Sequence, residues 1–222
     1  MSERITKWER VLPERSDRPE GVDGSHPMRA VVEQIASSEE GWTQERSAKV
    51  RELFDSMASD WAERNGPDRT EALAEVLERL SLPGRRCLEV GCGTGSVLGL
   101  LSPRFEAVVG VDLAMGMLRK VDCDGVPLIQ GDAGRLPFAD GSFDLIVAVN
   151  AFLFPREFKR VLSPSGSLVF VSSNGDRTPI YLSPDRVGEA LGEEFSGVSA
   201  ESGNGVWSCF SRRPFWDEAM GA

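Results

Sequence analysis

CLEVGCGTGSV, residues 87–97, sets three glycines, Gly91, Gly93 and Gly95, between an apolar run and the start of a helical pattern. A turn of residues without Cβ atoms lets backbone N–H groups approach a ligand closely, and the positive end of the next helix favours a carboxylate or phosphate. The dinucleotide fingerprint G-x-G-x-x-G wants glycine or alanine where this chain has Ser96, which counts against a nicotinamide or flavin ligand. Asp112 follows about 20 residues after the start of the turn, at the end of the next apolar run, where an acid pairs with ribose hydroxyls. The pattern favours an adenosine-like ligand without a 2′-phosphate.

Beyond this turn the chain alternates strand and helix. Strands are expected at Arg86–Val90, Ala107–Asp112, Val126–Gln130, Asp144–Val149 and Ser167–Ser172. Helices are expected at Gly95–Leu101, Met115–Lys120, Pro155–Leu162 and Pro184–Leu191. The runs VVGVD, DLIVAV and SLVFVS are nearly continuous in apolar character, as strands covered on both faces require. The expected fold is therefore α/β, a Rossmann-like, doubly wound, mostly parallel sheet of seven strands. Its last two strands, Val198–Glu201 and Val206–Ser211, flank Gly203-Asn204-Gly205 and should form an antiparallel hairpin at the C-terminal edge.

Residues 1–83 have a different texture, dense in charge and sparse in glycine, and read as an acidic helical extension in front of a domain at 84–222. The first 25 or so residues carry little to bury and are expected to be loosely ordered. A short helix is expected at Pro27–Ser37, then a longer one from Thr43 to Arg64 with Val50, Leu53, Phe54, Met57, Ala58 and Trp61 on one stripe. Asn65-Gly66-Pro67 ends it. Asp68 with Glu71 offers a capping box for a further helix whose Leu73, Val76, Leu77 and Leu80 repeat the stripe up to Pro83-Gly84. These helices should dock over the strand ends and cover the site.

Composition narrows the function classes. The 222 residues include 25 basic and 35 acidic side chains, a net charge of −10, which opposes nucleic acid as a partner. Residues 1–84 hold 12 of the basic and 18 of the acidic side chains, so the surplus is concentrated in the extension. Four cysteines without CxxC spacing point to a reduced, cytoplasmic chain with no metal site. The charged N-terminus lacks a signal-peptide core, and the long uncharged stretch Val90–Pro103 is broken by glycines, so no membrane insertion is expected. One histidine, His26, and one tyrosine, Tyr181, leave little for histidine-based catalysis.

Five segments in order resemble the class I S-adenosylmethionine-dependent methyltransferases, in particular the small-molecule branch of ubiquinone and menaquinone biosynthesis. They are FDSMASDWAERN, LEVGCGTG, VVGVDLAMGML, QGDAGRLPFADGSFDLIVAVNAF and REFKRVLSPSGSLVFV, spread over roughly residues 50–175. The resemblance implies S-adenosyl-L-methionine as cofactor, with Glu89 approaching its ammonium and Gly91, Gly93 and Gly95 forming the cradle for its methionine end. It implies that Asp112 holds both ribose hydroxyls, that Leu113 and Met117 flank the adenine, and that Asp132 accepts the adenine amino group with Ala133 adding a backbone contact. Asn150, after the fourth strand, implies a contact to the cofactor's amino group. Where the family often has a polar or histidine pair next, this chain has Ala151-Phe152-Leu153-Phe154, which argues for an apolar wall beside the acceptor and against a histidine mechanism.

The implied reaction is methyl transfer by in-line displacement to an O, N or C atom of a small, partly apolar metabolite. Proximity and orientation alone lower such a barrier by about 7 to 11 kcal/mol, so no catalytic acid or base is assigned. For a hydroxyl acceptor, His26, Asp55, Asp60 or bulk water would take the proton. Phe152, with Arg177 and Tyr181 in the loop SNGDRTPIYLS, are the substrate candidates. Two other readings stand beside this one: an NAD-dependent oxidoreductase, opposed by Ser96, and a non-catalytic cofactor-binding or partner-docking module. Oligomeric state and acceptor identity are left open.

Overall fold

The computed structural model describes residues 5–16, 24–61, 67–82 and 84–216. Its strands are β1 (Ile5–Lys7), β2 (Arg86–Val90), β3 (Ala107–Asp112), β4 (Leu128–Gln130), β5 (Phe143–Val149), β6 (Leu162–Ser172), β7 (Ser196–Ser202) and β8 (Gly205–Ser211). Its α-helices are α1 (Pro27–Ser37), α2 (Gln44–Met57), α3 (Glu71–Arg79), α4 (Leu98–Leu101), α5 (Met115–Leu118), α6 (Pro155–Val161) and α7 (Pro184–Leu191). The strands form one sheet in the order β1-β7-β8-β6-β5-β2-β3-β4, in which only β8 runs antiparallel to its neighbours.

Alternation along the strands explains the double layer. In β5, Leu145, Val147 and Val149 enter the core under α3 and α4, while Ile146 and Ala148 enter the core under α1, α6 and α7. In β6, Val169 and Val171 take the first side and Leu168 and Phe170 the second. Neither face can remain wet, and helices cover both. Proline at the first position of α1, α6 and α7 and a side-chain cap from Ser183 to the Arg186 N–H fix where those helices begin.

Three expectations need correction. The sheet has eight strands rather than seven, because residues 5–7 pair in parallel with Gly197–Ser199 of β7. The β7–β8 hairpin therefore does not form the edge; β8 lies inside the sheet and β1 lies outside β7. Residues 5–16 are likewise tied down rather than loose: Trp8 meets Trp207 edge-on at 5.9 Å, and Arg10 donates to the Gly203 carbonyl at 2.8 Å. Ile-Thr-Lys has no period to betray a strand. Its place is decided by Ile5, 8% exposed, which packs where α7 has Gly188 and leaves it room. Shortening that side chain by one methylene, Ile5→Val, is expected to cost about 1 kcal/mol and lower the melting temperature by about 2–4 °C. A melt followed by circular dichroism checks this, and an unchanged melting temperature would show that β1 does not contribute to the core.

The long helix is also shorter than its stripe predicts. α2 stops at Met57, followed by a turn at 58–60; the rest of the expected helix, residues 62–64, and the Asn65-Gly66 break lie outside the described residues. The side chain of Asp68, half of the expected capping box, is likewise not described, and Thr70 at the N-cap of α3 makes no side-chain cap. No helix among the described residues is long and apolar enough to cross a membrane.

Candidate active site

The C-terminal ends of β2, β3, β4 and β5 open on one cleft, the position at which parallel sheets hold ligands. Its floor is made by Gly91 and Gly93 after β2, Asp112 at the end of β3 with Leu113 after it, Met117 of α5, Asp132 and Ala133 after β4, and Asn150 after β5. Trp42, Val50, Phe54, Phe152, Phe154 and Ile180 supply an apolar wall. The space free of atoms is about 670 Å³ including its open mouth, within the usual range for small-molecule sites.

The glycine turn is held by its neighbours. Gly91 and Cys92 donate backbone N–H groups to the Val111 carbonyl at 2.8 and 3.1 Å, and the Gly93 N–H donates to Asp112 Oδ2 at 2.8 Å. Gly91 and Gly93 have φ of 70° and 55°, left-handed values that favour residues without a Cβ, and both face the cleft. Gly95 differs. Its φ of 83° is left-handed too, but it does not line this cleft, and a Cβ there would come within 2.6 Å of Val121, so its lack of a side chain serves the packing of the turn.

Asp112 is fixed at both oxygens, since Oδ1 accepts from the Ala114 N–H at 2.8 Å while Oδ2 accepts from Gly93. Burial pushes its carboxyl upward, opposed by those two amides and by Arg69. Each oxygen has a further lone pair beyond these bonds. Glu89, 2% exposed in β2, has one oxygen with no partner, and burial holds its carboxyl well above the usual carboxylate range, with Arg69 opposing and Asp112 reinforcing. Such a buried acid ionises readily only with a cation beside it.

Arg69 is half-buried in the cleft wall and lies over the Trp61 ring at 5.2 Å. It is the cation that faces Glu89 and Asp112, and sequence reading missed it because it sits in a charged run with no motif. Trp42 was missed for a similar reason, standing alone before the Thr43 cap of α2. Its indole N–H donates to both oxygens of Asp132, at 2.8 and 3.0 Å, and its ring meets Phe152 and Phe154 at 5.5 and 5.3 Å between centroids.

Other expected residues lie elsewhere. Arg177 is exposed in a 3-10 turn and Tyr181 stacks on Arg29 at 4.9 Å, lining a separate groove beside β1 and β7 rather than the cleft; only Ile180 of that loop reaches the cleft wall. Arg29 draws the loop toward α1, which explains their displacement: it donates to the Tyr181 carbonyl at 3.5 Å and to the Asp176 carbonyl. The expected proton acceptors are engaged away from the cleft wall. His26 Nδ1 accepts the Met28 N–H at 3.3 Å, Asp55 Oδ1 accepts the Gly116 N–H at 2.6 Å, and Asp60 Oδ1 accepts from Ser59 at 2.7 Å. Burial pushes the Cys92 thiol far up, which suits a packing role.

Residues 88–170 match the family described as a methyltransferase domain. The chain is 38% identical over 122 residues to malonyl-[acyl-carrier protein] O-methyltransferase of Methylococcus capsulatus, covering 49% of this chain and 44% of that protein. It is 30% identical over 187 residues to demethylmenaquinone methyltransferase of Mycolicibacterium vanbaalenii, covering 77% of this chain and 81% of that protein. The chain belongs to the S-adenosylmethionine-dependent methyltransferase family. This methyltransferase chain spans about half the length of the first curated relatives it matches. Its fold is that of a SAM-dependent methyltransferase from Aquifex aeolicus, with a TM-score of 0.54 at 20% identity over 71% of this chain and 97% of that one. Family membership resolves the glycine turn in favour of S-adenosylmethionine over a nicotinamide, and the cleft of this methyltransferase fits that group through a side-chain-free cradle and a doubly tethered acid, while the unpartnered oxygen of Glu89 is buried in β2 and Glu89 is not among the lining residues.

Proposed function

We propose that the protein is an S-adenosylmethionine-dependent methyltransferase whose acceptor is a small, partly apolar metabolite. The observation that carries this is the continuity of one cleft from Gly91, Gly93 and Asp112 to Trp42, Phe54 and Phe152. When bound, the cofactor supplies a methyl group already on a good leaving group. The chain's task is then to hold, orient and exclude water. In this reading Gly91 and Gly93 admit the methionine end, Glu89 answers the ammonium and Asp112 the ribose, Leu113, Met117 and Ala133 bound the adenine, and Asn150 closes the floor. The aromatic wall takes the acceptor.

The relatives support an acceptor with an apolar part, since their names specify a malonyl group on acyl-carrier protein, demethylmenaquinone and a fatty acid. Among the described residues the cleft wall contains no histidine, tyrosine, cysteine or lysine, so it favours an acceptor whose nucleophile is already ionised or acidic. Among the described residues before β2, Trp42, Val50, Phe54 and Arg69 cover the cleft, and the net charge of −10 supports a small-molecule rather than a nucleic-acid partner, in the cytoplasm.

Calorimetric titration with S-adenosylhomocysteine and a metabolite-extract assay with methyl-labelled cofactor test the proposal together. Binding and a labelled small product are expected. Binding without any labelled product across a broad extract would favour a non-catalytic role, and no binding would refute the cofactor assignment.

A further inference from the structure

We infer that Asp55 is a positioning residue: carried by α2, it caps α5 from outside and locks the aromatic wall on the acceptor side to the helix that bounds the cofactor side. What the two sides hold rests on the function proposed above; the joint itself does not. The cleft draws Phe54 from the last turn of α2, Trp61 from just beyond it, and Met117 from α5. These residues meet in a small apolar cluster apart from the two cores of the sheet. In it Ala58, Ala114 and Met117 are buried, and Phe54, Met57 and Trp61 pack against them. Apolar packing brings the two segments together, and one polar contact sets how they meet.

α5 has four residues and no side-chain cap of its own, because Ala114 stands at its N-cap. The first N–H groups of a helix lack partners within it, and an N-cap Asp ordinarily accepts from the second or third residue. Here the second, Gly116, donates its N–H to Asp55 Oδ1 at 2.6 Å, across 61 positions of sequence. The Ala114 N–H donates to Asp112 Oδ1 at 2.8 Å. Two carboxylates therefore hold the start of α5, one on the floor of the cleft and one on α2. They lie near each other: burial is the main cause that pushes the Asp112 carboxyl up, and the charge of Asp55 adds to it. Gly116 makes the approach possible, since a Cβ there would lie 2.9 Å from Asp55 Oδ1 and 3.3 Å from both Asp55 Cα and Ala58 Cβ. A ligand that settles on Asp112, Leu113 and Met117 thereby steadies the end of α2 that carries Phe54.

The experiment uses the full chain. Asp55→Ala removes the cap, and Asp55→Asn keeps an acceptor oxygen without the charge. Hydrogen exchange of peptides covering residues 44–61 is expected to quicken at least about fivefold in Asp55→Ala and to return to within about twofold of the parent in Asp55→Asn. In the parent, saturating S-adenosylhomocysteine should slow exchange of this segment at least about threefold. In Asp55→Ala that slowing should vanish, while the ligand still protects peptides covering residues 107–118. Equal slowing in the parent and Asp55→Ala, unchanged ligand-free exchange in Asp55→Ala, or no restoration by Asp55→Asn overturns the inference. A parent chain that does not bind S-adenosylhomocysteine refutes the cofactor reading, while ligand-free exchange of the three chains still decides whether Asp55 fastens α2 to α5.

Discussion

Asp112→Ala is expected to weaken binding of S-adenosylhomocysteine at least about 100-fold, a loss of about 3 kcal/mol. Two effects contribute in the same direction. The ribose hydroxyls lose a charged acceptor, each such bond being worth about 1.5–3 kcal/mol. The turn also loses its tether, because the N–H groups of Gly93 and Ala114 both end on this carboxylate. The second effect should appear without any ligand, as a fall in melting temperature of about 2–4 °C for each kcal/mol of stability lost. Asp112→Asn separates the two, since its single acceptor oxygen can keep one tether. Calorimetry on the two variants is the measurement, and an Asp112→Ala affinity within about threefold of the parent would remove Asp112 from the cofactor site.

Glu89→Gln should change stability and cofactor affinity in opposite senses. Burial raises the Glu89 carboxyl well above its ordinary value of 4.5, so the folded chain retains a proton that the unfolded chain releases. The acid's contribution to stability is therefore present below about pH 4.5 and is lost as pH rises through the folded-state value. Glutamine does not titrate, so the melting temperature of the variant should gain on the parent as pH rises. Binding runs the other way. A cofactor ammonium beside Glu89 favours the ionised acid, so the parent should release protons on binding and bind more tightly at higher pH. The variant should lose about 30-fold in affinity near pH 8, about 2 kcal/mol, and the pH dependence with it. Titrations in two buffers of different ionisation enthalpy count the protons, and equal proton release in parent and variant would show that Glu89 does not face the ammonium.

The sheet was legible in the sequence because its strands carry a pattern that one force dictates. DLIVAV alternates between two apolar cores, and nothing but a strand covered on both faces satisfies it. The floor of the cleft was legible for a related reason, since glycines at left-handed φ and an acid at a strand end have few other uses at that spacing. The wall was not. Trp42 and Arg69 take their places through contacts that include long-range ones, to Asp132 and toward Glu89 and Asp112, and a contact between residues 42 and 132 leaves no period in either segment. Tyr181 shows the converse. Its type suited a substrate contact, yet the guanidinium of Arg29, 152 residues earlier, draws it to the other side of the loop.

The three residues of β1 also bear on how the molecule behaves among its own copies. Without them β7, seven residues long, would end the sheet with a row of unpaired backbone donors and acceptors, a template for edge-to-edge pairing and aggregation. With them the outermost strand is three residues long, and its Lys7 is exposed beside Asp185 at 3.5 Å. So short and charged a stub offers little to a second sheet, and a segment with almost no core of its own thereby guards the solubility of the whole.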